Sequence, residues 1–367
     1  MANTRACNST AILNNSSLGN IVNAQNSTRR ENAFQFGGAL EDNRLMSGLF
    51  IFIAVLSFVG NLLVLVLFLH NKKWLKRTYG RLVFALALVD LLTAVCLFAT
   101  PLAVHHEKRM ERPTSAIARE MYCRLLWSHY VLFSFGITSV YTCLVLTTER
   151  WIAVTKPLYI RKYKPSRRTC FACLALPWLA GFLLEANVVK ETRTANFDDG
   201  TFSCEWRAQE HAGKTTPALL AVVSFLGAML IPLLIITVMY AHILVTLKKQ
   251  NLKRKNSFIA ESVRPTSTFY KLALRRATKM AACATFAVVI CWLPCQAYSL
   301  AAQLGFAPTE TTLHQVLNLL AFFNSCLNPA LYAFTNGVFR KKFSEVFTRL
   351  SCHSDNPPAN NLPSALV

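Results

Sequence analysis

The chain has 367 residues, of which 53% are hydrophobic and 16% charged, with a mean hydropathy of +0.34. A soluble domain carries about a quarter charged residues, and disordered, collagenous or nucleic-acid-binding tails are polar or glycine-rich, so none of these describes the chain as a whole. Twelve cysteines are too dilute for a disulfide scaffold. The formal charge of +21 does not mark a partner of nucleic acid, because the positive residues fall in short loops between apolar runs.

Residues 1–44 come first, rich in Asn and Ser. They hold four N-x-[ST] sequons, at Asn8, Asn14, Asn15 and Asn26. They read as a disordered, glycosylated extracellular tail, against the alternative of chance in an Asn/Ser-rich stretch. Met1–Ser17 lacks a charged start followed by an apolar stretch, so the first apolar run is expected to act as the insertion signal.

Seven apolar runs follow: Leu45–Leu69, Leu82–Val104, Leu125–Thr148, Thr169–Val189, Thr215–Leu247, Met280–Ala307 and Thr311–Asn336. About 20 such residues span a bilayer as a helix, and backbone polar groups cannot go unpaired in lipid. An all-α membrane protein with a bundle of seven transmembrane helices is expected over residues 45–336. Two thirds of the 39 bases lie in the first, third and fifth loops with their flanks and in the C-terminal tail. Bases collect on the cytoplasmic side, which puts the N-terminus outside and the C-terminus in the cytoplasm.

Asp90 lies mid-span in the second run. A lone acid at that depth costs at least a few kcal/mol, so it should face the bundle interior. Asn61, Ser139, Asn324, Ser325 and Asn328 lie at similar depth. Such oxygens suit a hard monovalent cation, a water cluster or a purely structural network. Pro232, Pro294 and Pro329 sit inside three runs, where each removes a backbone hydrogen bond and kinks its helix. Glu149 and Arg150 stand together at the inner end of the third run, as an ion pair that can open or as a snorkelling arginine.

These residues together resemble the rhodopsin-like (class A) G-protein-coupled receptors. The match runs through Gly60-Asn61, Leu86-Ala87-Leu88-Val89-Asp90, Glu149-Arg150-Trp151 with Pro157-Leu158, Trp178, Pro232 with Tyr240, Cys291-Trp292-Leu293-Pro294 and Asn328-Pro329-Ala330-Leu331-Tyr332. The resemblance implies that Arg150, Tyr240 and Tyr332 rearrange toward each other to open a cleft for a heterotrimeric G protein. Trp292 would sense the ligand and pivot the sixth helix. Asp90, Ser139, Asn324, Ser325 and Asn328 would form a sodium pocket, the one cofactor implied. Cys123 would pair with Cys204. Arrestin and a receptor kinase are implied as further partners.

The chain departs from the family's pattern in places. Leu274 stands where an acid often pairs with the arginine, and Thr278 is the nearby hydrogen-bonding substitute. Val288 replaces a bulky aromatic one turn before Trp292. The interval from Cys123 to Arg150 is about two residues longer than the family norm, and Pro101 is displaced from Asp90 by a similar amount. The fourth run lacks its usual outer proline.

The seventh run has no lysine, which excludes a retinal Schiff base. The monoamine-binding acid of the third helix is replaced by Leu132. The outer pocket instead offers His129, Tyr130, Gln296, Tyr298, Ser299, Gln303, His314, Gln315 and Asn318, neutral groups that suit peptide amides. Asp198-Asp199-Gly200 marks a hairpin in the second outer loop. With Phe322–Pro329, which is most like the peptide-receptor branch, this favours a neuropeptide or peptide hormone; a lipid or other small molecule is the alternative. A transporter or channel is disfavoured by the single intramembrane acid and the lack of internal repeats. No metal-ligand cluster, phosphate loop or nucleophile elbow points to an enzyme.

Past the bundle, residues 337–350 place aromatics on one face and bases on another, as an interfacial amphipathic eighth helix. Residues 351–367 form a short cytoplasmic tail, in which Cys352 is a palmitoylation candidate or a free thiol.

Overall fold

The computed structural model describes residues 44–100, 110–111, 115–162, 166–198, 201–206, 215–256, 265–308, 311–335, 339–342 and 344–345. Seven helices among them are long and apolar enough to cross a membrane. They are α1 (Arg44–His70), α2 (Thr78–Ala99), α3 (Tyr130–Thr155), α4 (Arg167–Leu184), α5, α6 (Pro265–Gln303) and α7 (Thr312–Thr335). α5 consists of Thr215–Phe225, a π-helical turn Leu226–Leu230, and Ile231–Asn256. The sequons, Pro101, Asp199-Gly200 and Cys352 lie outside the described residues.

α3 runs through the middle and packs on α2, α4, α5 and α6, while α7 closes the bundle against α1, α2 and α6. Large apolar side chains such as Phe52, Leu179, Val238 and Phe286 stand exposed on the outer faces. Water would penalise that surface; hydrocarbon does not. The polar groups of the spans are turned inward: Asn61, Asp90, Ser139, Asn324 and Asn328 are all buried.

Several boundaries differ from the apolar runs. α2 stops at Ala99 rather than reaching Val104. Thr100 is extended, with ψ 155°, and its hydroxyl donates to Leu97 O at 3.0 Å. Thr100 precedes a proline, which disfavours the helical region. α3 starts at Tyr130 rather than Leu125. Ahead of it stand a short helix Ala116–Met121, a π-helical turn Tyr122–Trp127 and His129 in the left-handed region at φ 60°. A π turn takes more residues per turn than an α turn. This one lies at the start of the interval from Cys123 to Arg150, ahead of the break at His129. At the other end α5 continues to Asn256 and α6 begins at Pro265, so most of the basic Lys248–Lys279 stretch is helical extension of these two rods.

A fourth proline, Pro177, also lies inside a span, buried in α4 beside Trp178. In α5 the residue four before Pro232 is Ala228, inside the π turn. A proline cannot donate to that carbonyl, and the widened turn accommodates the missing bond.

At the end opposite the basic loops, β2 (Thr192–Asn196) and β3 (Thr201–Trp206) form the hairpin expected around Asp198. Thr194 pairs with Cys204 and Asn196 with Phe202. A two-residue strand β1, Met110–Glu111, adds to the far side of β3 and gives the order β1-β3-β2. Past α7, residues 339–342 and 344–345 are helical. Phe339 is buried, with its ring 6.1 Å from that of Trp74 and 5.8 Å from that of Tyr332. The rest of the expected eighth helix lies outside the described residues.

Candidate functional site

The hairpin is strapped to the bundle. Cys123, in the π turn, is bonded to Cys204 of β3, with Cα atoms 5.4 Å apart. Around this bridge Glu120 accepts from Arg124 at 2.6 Å and from the Thr194 hydroxyl, and Arg124 also donates to Val189 O. The Thr194 hydrogen bond, then Arg124, holds the Glu120 carboxyl below its ordinary pKa. The sheet thus cannot drift from the mouth of α3.

The nine residues expected in the outer pocket divide. Tyr298 and His314 stack with ring centres 5.2 Å apart, and the Tyr298 hydroxyl meets Pro308 O and Thr311 Oγ1. Asn318 is buried, and its Oδ1 accepts from the Cys295 thiol at 3.0 Å. Gln315 Oε1 and His129 Nε2 are buried polar atoms with no hydrogen-bond partner among the described residues. Gln296 is half-buried on α6. Ser299 is turned back on its own helix, donating to Cys295 O. Gln303 is exposed at the end of α6. Tyr130 departs from the expectation: its hydroxyl donates to Phe182 O at 2.8 Å and its ring packs edge-on to Phe182, so it is held against α4.

Below this mouth sits Trp292, buried on α6 two residues before the hinge at Pro294. Its ring lies edge-on to Phe133 of α3 at 6.1 Å and to Phe322 of α7 at 5.9 Å, and Phe322 in turn reaches Phe50 of α1. Gly136 lets the indole lie against the α3 backbone, since a Cβ there would be 2.0 Å from its Cη2. The indole Nε1 has no partner among the described residues. Neither the small size needed at position 136 nor the aromatic chain through Phe133 and Phe322 follows from spacing in the sequence.

Deeper still, Asp90 accepts from Ser325 Oγ at 3.0 Å and Asn328 Nδ2 at 2.6 Å. Asn61 donates to Ser325 O and Ser57 O, tying α1 to α7 in the same layer, and Ser57 Oγ donates to Asp90 O. Ser57 was not singled out from the sequence; its four-residue spacing from Asn61 is the signal available. Gly60 keeps this approach open, with a Cβ there only 3.0 Å from Pro329 Cγ. The Ser139 hydroxyl, both amide atoms of Asn324, Asn328 Oδ1 and Asn61 Oδ1 are buried and unpartnered among the described residues. A buried carboxylate in a helix layer with several spare oxygens is a chemical fit for a small hard cation. No group of three or more His, Cys, Asp and Glu residues that could hold a metal occurs among the described residues.

At the basic end Arg150 is 7% exposed and forks onto Glu149, with Nη2 2.6 Å from Oε1 and Nε also donating to Oε2. Its guanidinium lies over the Tyr79 ring of α2, 4.1 Å from the centre. Tyr79 was missed in the sequence, where nothing in its spacing marks it. Thr278, the expected substitute partner, does not hold Arg150: its buried hydroxyl has no partner among the described residues. The Tyr240 hydroxyl is 3.5 Å from Thr147 Oγ1, and Tyr332 is buried with its hydroxyl unpartnered among the described residues. Leu274 lies in α6, among residues whose side chains are not described.

The comparisons with known proteins agree with this layout. The chain is 26% identical to galanin receptor 2a of Danio rerio over 83% of its own length and 78% of the relative's. It is 26% identical to somatostatin receptor type 1 of Rattus norvegicus, covering 82% and 71%, and 26% to the allatostatin-A receptor of Bombyx mori, covering 85% and 82%. The family model described as 7 transmembrane receptor (rhodopsin family) matches residues 60–332, from the glycine against Pro329 to the buried Tyr332, and the chain belongs to that family.

Proposed function

We propose that the chain is a plasma-membrane receptor that binds an extracellular peptide and activates a heterotrimeric G protein on the side of its basic loops. The orientation rests on the bias of lysine and arginine toward one set of loops. The peptide reading rests on relatives named as galanin, somatostatin and allatostatin-A receptors, and on a mouth of neutral hydrogen-bonding groups rather than a pocket acid on α3. The observation that carries the mechanism is the doubly bonded Glu149–Arg150 pair, which keeps a buried cation neutralised on its own helix. A ligand pressing on the mouth shifts Trp292 away from its seat on Gly136, and α6 swings at Pro294. Arg150 then leaves Glu149 and turns toward Tyr240 and Tyr332. Either packing must satisfy the guanidinium, because a buried unpaired charge is costly.

In the same reading a sodium ion beside Asp90, with Ser139, Asn324, Ser325 and Asn328 as oxygen donors, favours the resting packing. Arrestin and a receptor kinase act on the activated form, and Asn8, Asn14, Asn15 and Asn26 carry glycans. The test is nucleotide exchange on a purified G protein with an active peptide found by a library screen. Arg150→Ala is expected to lose exchange by more than tenfold while still binding the peptide. Full exchange by the variant would remove Arg150 from the mechanism.

A further inference from the structure

The α3–α5 seam carries a polar pair on the outer surface of the bundle. Trp151 donates its indole N–H to His242 Nδ1 at 2.8 Å, with ring centres 6.0 Å apart. An indole nitrogen only donates, so Nδ1 is the acceptor and the neutral imidazole keeps its proton on Nε2 as a spare donor. His242 is exposed. Beside the pair opens a groove of about 440 Å³, lined by Trp151, Leu234, Ile235, Val238, Met239 and His242. Thr148 Oγ1 reaches the Met239 sulfur at 3.6 Å, closing the seam beside it. Lys156 Nζ stands 5.9 Å from the centre of the Trp151 ring, and Lys249 follows His242 by seven residues, on the same face of α5.

The depth profile identifies the occupant. Trp151 is four residues from the end of α3, about 6 Å at 1.5 Å per residue, which is headgroup depth. Leu234 is eight residues farther into the bilayer than His242, about 12 Å along α5. The groove lining is therefore apolar except for the Trp151–His242 pair at its shallow end, and the two lysines lie just beyond that end. No acidic residue lines it. We propose that it binds an anionic phospholipid, with the acyl chain against Leu234, Ile235 and Val238 and the headgroup held by His242 Nε2–H, Lys156 and Lys249. Such a lipid would brace α3 against α5 next to Glu149–Arg150 and Tyr240. The proposal takes from the receptor reading only the orientation, which decides that the cytoplasmic leaflet supplies the lipid.

The experiment is fluorescence quenching of the full-length chain in phosphatidylcholine nanodiscs doped with phosphatidylserine or extra phosphatidylcholine brominated at mid-chain. The quenching that disappears in Trp151→Phe reports occupancy of the groove. Brominated phosphatidylserine is expected to half-quench Trp151 at an about 30-fold lower mole fraction than brominated phosphatidylcholine, the scale set by two basic residues near an anionic headgroup at about 1 kcal/mol each. Lys156→Gln with Lys249→Gln should bring that ratio to one. Val238→Phe, at an exposed position that leaves the core untouched, should remove the saturable quenching. Equal quenching by the two lipids, or a preference that survives the double lysine variant, would overturn the proposal. The readout needs no G protein, so failure of signalling and failure of lipid binding are separate results.

Discussion

Gly136→Ala tests whether Trp292 is the moving part. The new Cβ would lie 2.0 Å from Trp292 Cη2, 2.3 Å from Cζ2 and 2.7 Å from Cζ3. Carbon atoms prefer about 3.5–4.0 Å, so the ring must retreat by about 1.5 Å. It has little room, since Phe133 and Phe322 flank it within 6.1 Å. Overpacking of this kind costs about 1–3 kcal/mol, while the helix propensity gained by alanine is common to both packings and cancels. The penalty of about 1–3 kcal/mol falls on the resting packing alone if the indole moves away on activation. That shifts the equilibrium about 5- to 150-fold toward the active state. Basal nucleotide exchange without ligand should rise by that factor, and Trp292→Phe in the same chain should reverse the rise by restoring space. Thermal denaturation of the purified protein supplies the control. A lowered midpoint with unchanged basal exchange would refute the role of Trp292, because the clash would then be merely structural.

Further outcomes follow from other contacts. Asp90→Asn keeps the shape of the layer but removes its charge, so agonist affinity should lose its dependence on sodium; equal sodium sensitivity in variant and wild type would exclude the cation site. Gly181→Ala places a Cβ 2.3 Å from Thr138 Oγ1 and 2.4 Å from Ser134 O, so it should lower the thermal midpoint at the α3–α4 contact by the equivalent of about 1–3 kcal/mol, measured in detergent. Glu120 has a folded pKa below its ordinary 4.5, so its contribution is complete above that value and is lost as pH falls through the folded pKa. The midpoint of the wild type should therefore drop more steeply than that of Glu120→Gln as pH is lowered from 5 to 3. Breaking the Cys123–Cys204 bridge with reductant should cost about 2–5 kcal/mol and weaken peptide binding, with no effect of reductant in Cys123→Ser with Cys204→Ser.

Number, order and type of the spans were legible in the sequence because lipid leaves the backbone one way to satisfy itself, and apolar length reports it directly. Asp90, Arg150, Trp292 and the Asn328-Pro329 pair were legible for a related reason: a charge, a large polar ring or a proline inside an apolar run demands an explanation. Tertiary packing alone decided what these residues touch. It showed that Tyr130 leans on Phe182, that Arg150 rests on Tyr79 rather than on Thr278, and that Gly136 shapes the seat of Trp292. The π turn before α3 and the left-handed His129 were also invisible beforehand. Apolar periodicity constrains a helix against an isotropic solvent of hydrocarbon. The rotation of each rod, and hence every side-chain partner, is set by close contacts between rods that no single stretch of sequence contains.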